Sequence, residues 1–259
     1  MLILLSPAKS LDFTSPIPLK TSTELRFLPE VEYLAQLASN LESADLQTLM
    51  KISPELAELN VKRFQELASD WNGKSMRQAV FAFDGDVYDG LQARTMLRKE
   101  VSYLQKHLRI LSGLYGLLRP LDKILAYRLE MGTPLNNVAG TNLYAYWGHK
   151  LLGQIKEDMQ IINAKCVLNL ASDEYAKAAK LKLLGFPVIQ PIFQDYSNNQ
   201  YKVISFFAKK ARGAMVRFCA ENNITEAKQI KTFDRDGYRF IEEESSASAW
   251  IFRRKLNNS

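Results

Sequence analysis

Four cations and a glycine in one stretch of chain offer the clearest chemistry in this sequence. From Val203 to Asn222 it reads V-I-S-F-F-A-K-K-A-R-G-A-M-V-R-F-C-A-E-N. At about 100° per residue, Ala211, Ala214, Met215, Phe218 and Cys219 share one helical face. Lys209, Lys210, Arg212 and Arg217 share the opposite face, with Gly213 among them. A glycine inside a helix costs about 1 kcal/mol against alanine, so the position needs a compensation. Two are available. The missing Cβ lets a bulky anion approach the backbone between the cations, or it lets a neighbouring element pack tightly. A helix start also offers free N–H groups and the positive end of the dipole. The stretch therefore predicts a phosphate-type anion surface, with a close-packed, solvated helix as the alternative.

Other chemistry-bearing residues join that surface as candidates. Lys9 lies in S-P-A-K-S, where a first strand breaks into a loop. The segment from Gln92 to Arg128 holds eight Lys/Arg and two acids, and Arg109, Arg119 and Arg128 are its candidate anion contacts. Asp173 and Glu174 follow a strand and open a helix behind Ser172. Capping and dipole compensation account for such acids; acid–base catalysis at a strand–turn–helix junction is the other reading. The run D-G-D-V-Y-D-G from Asp84 lacks the Ca²⁺-loop spacing and its closing glutamate, so it reads as turn chemistry. His107 and His149, with Cys166 and Cys219, form no recognised ligand spacing. The expectation is no cofactor and no metal, with two buried free thiols.

Elements must position these groups. Leu2–Leu5, Val167–Leu170 and Val203–Phe206 are expected as buried strands, with further strands at 78–83, 127–132 and 188–193. Helices are expected at 29–41, 44–51, from Ser53-Pro54-Glu55 onward, over 100–111 and over 143–158. Ser53, with Pro54 behind it, is a helix-start signal. Residues 100–124 allow two readings. One is a helix-hairpin-helix, although Gly113 and Gly116 are spaced G-x-x-G rather than G-x-G; the other runs a strand through Arg109 to Leu114. The class is α/β (α+β mixed): a single domain over 1–259, a mixed sheet surrounded by helices.

The chain of 259 residues is 47% hydrophobic and carries a net charge of +6. That length suits one large core. The charge is uneven: Glu24 to Asp70 holds nine acids against four Lys/Arg, so the basic excess sits on one side, as for a polyanion partner. The short N-terminal apolar run reads as a strand, not a leader, and no lipidation motif is seen. The reading is cytoplasmic, with no membrane, and favours a monomer.

Six motifs resemble the YaaA family of bacterial peroxide-stress proteins. They are S-P-A-K-S at Ser6, G-D-V-Y-D-G-L at Gly85, L-S-G-L-Y-G-L-L-R-P-L-D at Leu111, Y-R-L-E-M-G at Tyr127, N-L-A-S-D-E-Y at Asn169 and S-F-F-A-K-K-A-R-G at Ser205. The resemblance implies a protein that limits oxidative DNA damage and is linked to lower free intracellular iron. It also implies an unusual topology, a positively charged cleft, and binding of double-stranded DNA with low sequence specificity through that cleft and a helix-hairpin-helix-like element. Two function classes stand: a DNA-binding protective protein, and an enzyme acting on a nucleotide or nucleic acid. An open groove would favour the first, a closed pocket holding Asp173, Glu174, Lys209 and Arg212 the second.

Overall fold

The computed structural model describes residues 1–69, 71 and 75–255. Short apolar runs build its centre. The strands are β1 (Leu2–Leu5), β2 (Leu108–Ser112), β3 (Gly116–Leu118), β4 (Val167–Leu170), β5 (Val188–Ser197), β6 (Gln200–Lys202), β7 (Arg239–Ile241) and β8 (Ala249–Arg254). They form one mixed sheet in the order β7–β8–β5–β4–β1–β2–β3, with β6 paired to β5. β1 runs parallel to both β2 and β4, and β5 runs parallel to both β4 and β8. β3, β6 and β7 pair antiparallel to their neighbours. Every residue of β1, β2 and β4 is buried, the continuous pattern of strands covered on both faces.

Helices α1 (Leu28–Ser39), α2 (Ser43–Met50), α3 (Pro54–Leu67), α4 (Asp86–Leu91), α5 (Arg98–His107), α6 (Leu143–Trp147), α7 (Lys150–Ile161), α8 (Asp173–Ala178) and α9 (Ser205–Glu221) surround the sheet. The start of α3 follows its signal: Ser53 accepts from the Leu56 N–H and Pro54 sits at the first turn. Gly148, at φ +47°, separates α6 from α7, so the expected single helix over 143–158 is two.

Other expectations need correction. Val203–Phe206 is not a buried strand. β6 ends at Lys202, α9 begins at Ser205, and both Val203 and Phe206 are exposed. The tight Asn198-Asn199 hairpin, with φ of +53° and +61°, gives β6 only three residues against β5, after which the chain leaves the sheet. Residues 78–83 contain a helical turn at Ala79–Ala82 between two-residue strands. The D-G-D-V-Y-D-G run is not a turn but the start of α4, with Gly85 at φ +134° before it, a conformation that favours glycine. Residues 127–132 join no strand. Within 100–124 the strand reading is the one observed: α5 runs into the β2–β3 hairpin.

The tightest crossing in the fold lies between α4 and α9. A Cβ on Gly213 would stand 1.7 Å from the Val87 carbonyl oxygen, and one on Gly90 would stand 2.0 Å from the Lys210 carbonyl oxygen. The two glycines let the backbones touch. Gly213 is therefore buried, and its compensation is close packing rather than an approaching anion.

A buried ion triad ties β2 to α7. Arg109 Nε lies 2.6 Å from Asp158 Oδ2, and Arg26 Nη1 lies 2.8 Å from Asp158 Oδ1. Burial alone would raise the Asp158 carboxyl, but hydrogen bonds and charge from Arg109, then Arg26, hold it below the usual aspartate value.

Gly213→Ala and Gly90→Ala should each lower the urea midpoint, by about 1–3 kcal/mol of overpacking net of the helix-propensity gain. Gly153→Ala, in α7 with open space at its Cβ, should instead gain up to about 1 kcal/mol. Asp158→Asn strands two buried guanidinium groups and should cost about 3–5 kcal/mol. In the unaltered protein, this carboxylate's contribution is present above the unfolded value of about 3.9. It is lost as pH falls through the lower folded value, and the variant's acid unfolding profile should lack that limb.

Candidate functional site

Parallel strands β1 and β4 are in register from Leu2 to Leu5 and from Val167 to Leu170, so their C-terminal ends open side by side. The chain after each strand meets the other. Ser6 Oγ accepts the Ser172 N–H at 2.8 Å, and the two hydroxyls lie 3.3 Å apart. Ser172 occupies the N-cap position of α8, but its side chain makes no bond to that helix; it is turned to Ser6 instead. The buried phenol of Tyr88, on α4, donates to the Ser6 carbonyl at 3.1 Å.

Around these serines lies a cleft of about 460 Å³. Its walls are the Ser6–Ser10 loop, the 84–87 junction into α4, the 127–130 segment, the start of α8, and Lys209 with Arg212 from α9. Open α/β sheets bind ligands at this end of their strands. Cations and carboxylates line it in equal numbers: Lys9, Arg128, Lys209 and Arg212 against Asp84, Asp86, Glu130 and Glu174. The cleft is thus mixed in charge, not uniformly basic.

The carboxylates hold specific partners. Lys9 Nζ lies 2.9 Å and Arg128 Nη2 3.3 Å from Glu130. Lys209 Nζ lies 3.4 Å from Asp86. Glu174 Oε1 accepts the Gly132 N–H at 2.8 Å and makes no ion pair among the described residues. Arg212 is the exception among the cations: half-buried in the cleft wall, it makes neither hydrogen bond nor ion pair among the described residues. Burial lowers its pKa from the usual arginine value, and the charge of nearby Asp173 opposes that only in part. Arg128 adds a buried Nε without an acceptor. Tyr127 and Tyr175 complete the wall. Their phenols are buried and raised, Tyr127 while bonded to Ser112 at 2.6 Å, so both stay neutral.

The candidates from the sequence divide accordingly. Lys9, Arg128, Lys209, Arg212 and Glu174 meet in the cleft, and Asp173 stands behind Arg212. Lys210 faces an adjoining hollow with Asp84, Asp89 and Arg94. Arg109 is buried in the ion triad. Arg119 is tied to Asp122 and to the Glu24 carbonyl. Arg217 donates to the Leu91 and Gln92 carbonyls and Thr95 Oγ1, holding the end of α4. Ser6 and Glu130 went unsingled in the sequence, while Ser172 was read as a helix cap and Asp86 as turn chemistry. Only its strand-to-loop position signalled Ser6. Cys166 and Cys219 are buried free thiols. No described helix is long and apolar enough to cross a membrane, and no three His, Cys, Asp or Glu side chains converge on a metal position among the described residues.

Comparison with known proteins bears on the whole chain. The family model described as peroxide stress protein YaaA matches residues 1–244. A UPF0246 protein of Alteromonas mediterranea is 49% identical over 254 residues, 98% of each chain. A UPF0246 protein of Aliivibrio fischeri is 45% identical over the full length of both, and one of Dechloromonas aromatica is 47% identical over 98% of this chain and 99% of its own. With a family model spanning both walls of the cleft and relatives matched end to end, the chain belongs to the peroxide stress protein YaaA family.

Proposed function

We propose that the protein protects DNA under peroxide stress by binding it with low sequence specificity at this cleft, one nucleotide unit entering the pocket. The observation that carries the reading is Arg212. A guanidinium in a half-buried wall without an anionic partner is costly, and a phosphate oxygen supplies the planar, charge-assisted acceptor it lacks. Arg128 Nε offers a second donor in the same wall. The volume suits one nucleotide-sized group, within the range of about 300–1,000 Å³ for ligand pockets, and is too small for a duplex. Exposed Lys9, Lys209 and Lys210 then meet neighbouring phosphates outside it. The reading gives the implied link to free iron no site among the described residues.

The enzyme reading is favoured by one specific observation. Glu174 lines the pocket and makes no ion pair among the described residues, which leaves its carboxylate open to act as a general base on a bound nucleotide, in the same pocket as the paired hydroxyls of Ser6 and Ser172. Arg212→Ala should weaken binding of nucleotides and of unrelated DNA sequences alike by about ten- to a hundredfold, the scale of lost hydrogen bonds to a charged group. It should also reduce the salt slope by about one unit. Titration at several salt concentrations measures both. Unchanged affinity and slope would place the ligand elsewhere. If Glu174→Gln keeps affinity but abolishes consumption of a nucleotide, the cleft is an active site.

A further inference from the structure

Phe206 is 53% exposed on α9, and Val203 just before the helix is 54% exposed. These are large apolar groups in water beside the most basic helical turn of the chain. On a helix, residues three and four apart are neighbours, so Phe206 shares its face with Lys209 and Lys210. Lys209 lines the cleft and Lys210 the adjoining hollow. Phe206 thus lies one helical turn before the two cations that face these cavities. Its only aromatic neighbour among the described residues is Phe207, at 5.5 Å between centroids and 64° between planes, an edge contact that leaves ring surface uncovered. Lys202 and Lys210 form no ion pair among the described residues, and Lys209 reaches only Asp86.

We propose that Phe206 is a stacking platform for a base of single-stranded nucleic acid whose adjacent nucleotide occupies the cleft. The inference rests on the cleft reading above and specifies the form of its ligand. A protein patch would not need an unpaired lysine one helical turn from an exposed ring. A nucleic-acid strand needs that juxtaposition, because every base has an apolar face and every linkage a negative charge. A duplex keeps its bases stacked on each other and cannot use the ring. Unpaired strand, at a gap, bubble or end, can.

The test compares a short oligothymidylate, thymidine monophosphate and a blunt duplex on folded full-length variants. Stacking is worth about 1–3 kcal/mol per base. Phe206→Ala should therefore weaken the oligothymidylate about five- to a hundredfold and leave the monophosphate and the duplex unchanged. Phe206→Trp should restore affinity, and its added fluorescence should be quenched by the oligothymidylate but not by the monophosphate. If Phe206→Ala binds the oligothymidylate normally while Arg212→Ala weakens both single-stranded probes, the platform is wrong and the cleft reading stands. If Arg212→Ala changes nothing while Phe206→Ala weakens the oligothymidylate, the platform stands without the cleft. Equal weakening of all three probes by Phe206→Ala would mark a merely structural residue. Loss of self-association in sedimentation, with oligothymidylate affinity intact, would mark a protein contact. Either result overturns the proposal.

Discussion

The contact between α4 and α9 is the constraint on which the cleft depends. Two helices crossing with ordinary side chains keep their axes about 8–10 Å apart. Gly90 and Gly213 remove the side chains at the point of contact, and each faces a backbone carbonyl of the other helix. That closeness brings the Gly85–Val87 junction against Lys209 and Arg212, residues more than a hundred positions away in the chain. One wall of the cleft is therefore built from both helices at once. Arg217 locks the arrangement by donating to the last carbonyls of α4. A shift of the crossing would move Asp86, Lys209 and Arg212 together.

The charge distribution in the cleft follows from what each cation can reach. Lys9 and Lys209 are long, exposed side chains, 62% and 51% open at the side chain. In water their pairs with Glu130 and Asp86 are worth little, so an anionic ligand displaces them readily. Arg212 is different because its surroundings have already removed much of its water. An exposed pair is exchangeable, whereas a partly desolvated guanidinium without an ion pair gains more from an anion. The four carboxylates also work against indiscriminate occupancy, since a highly charged ligand must face them as well. Mixed charge thus suits one phosphate group held at a defined place better than a polyanion lying along the floor.

Much of the framework was legible in the residues. Leu2–Leu5 and Val167–Leu170 are continuous apolar runs bounded by Ser/Pro and Ser/Asp turns, and both are central strands. Ser53-Pro54 announced α3. What failed has a common physical cause. V-I-S-F-F has β-type composition, but strand formation depends on a partner edge, and the short β5–β6 hairpin supplies only three residues. The helical periodicity at 211–219 was correct, yet it showed one buried face where tertiary packing buries two. The second is covered by α4, and sequence alone does not show which element will lie there. Gly213 carried both meanings until that neighbour was known. Arg109 looked like a surface cation because charge is visible in sequence, whereas its burial depends on Asp158 from a distant helix. Lys9, Lys209, Arg212 and Glu174 could be singled out together because loops and helices that follow strands are where such folds put polar groups. Glu130 escaped because it lies on a segment without regular structure.

Net charge alone does not distinguish the two ends of the sheet; the direction of the backbone does. At the opposite end, a hollow of about 560 Å³ is lined by Lys99, Lys106 and Lys165, more lysines than face the cleft. Helices α5, α7 and α9 finish there, at His107, Ile161 and Glu221, each presenting the negative end of its dipole. Lys106, in the last turn of α5, faces charge that the fold itself creates. At the cleft end α9 begins instead, with no acid in its first turn, so its positive end adds to Lys209 and Arg212 rather than cancelling them. The same residue types thus face negative helix ends at one end of the sheet and a positive helix start at the other.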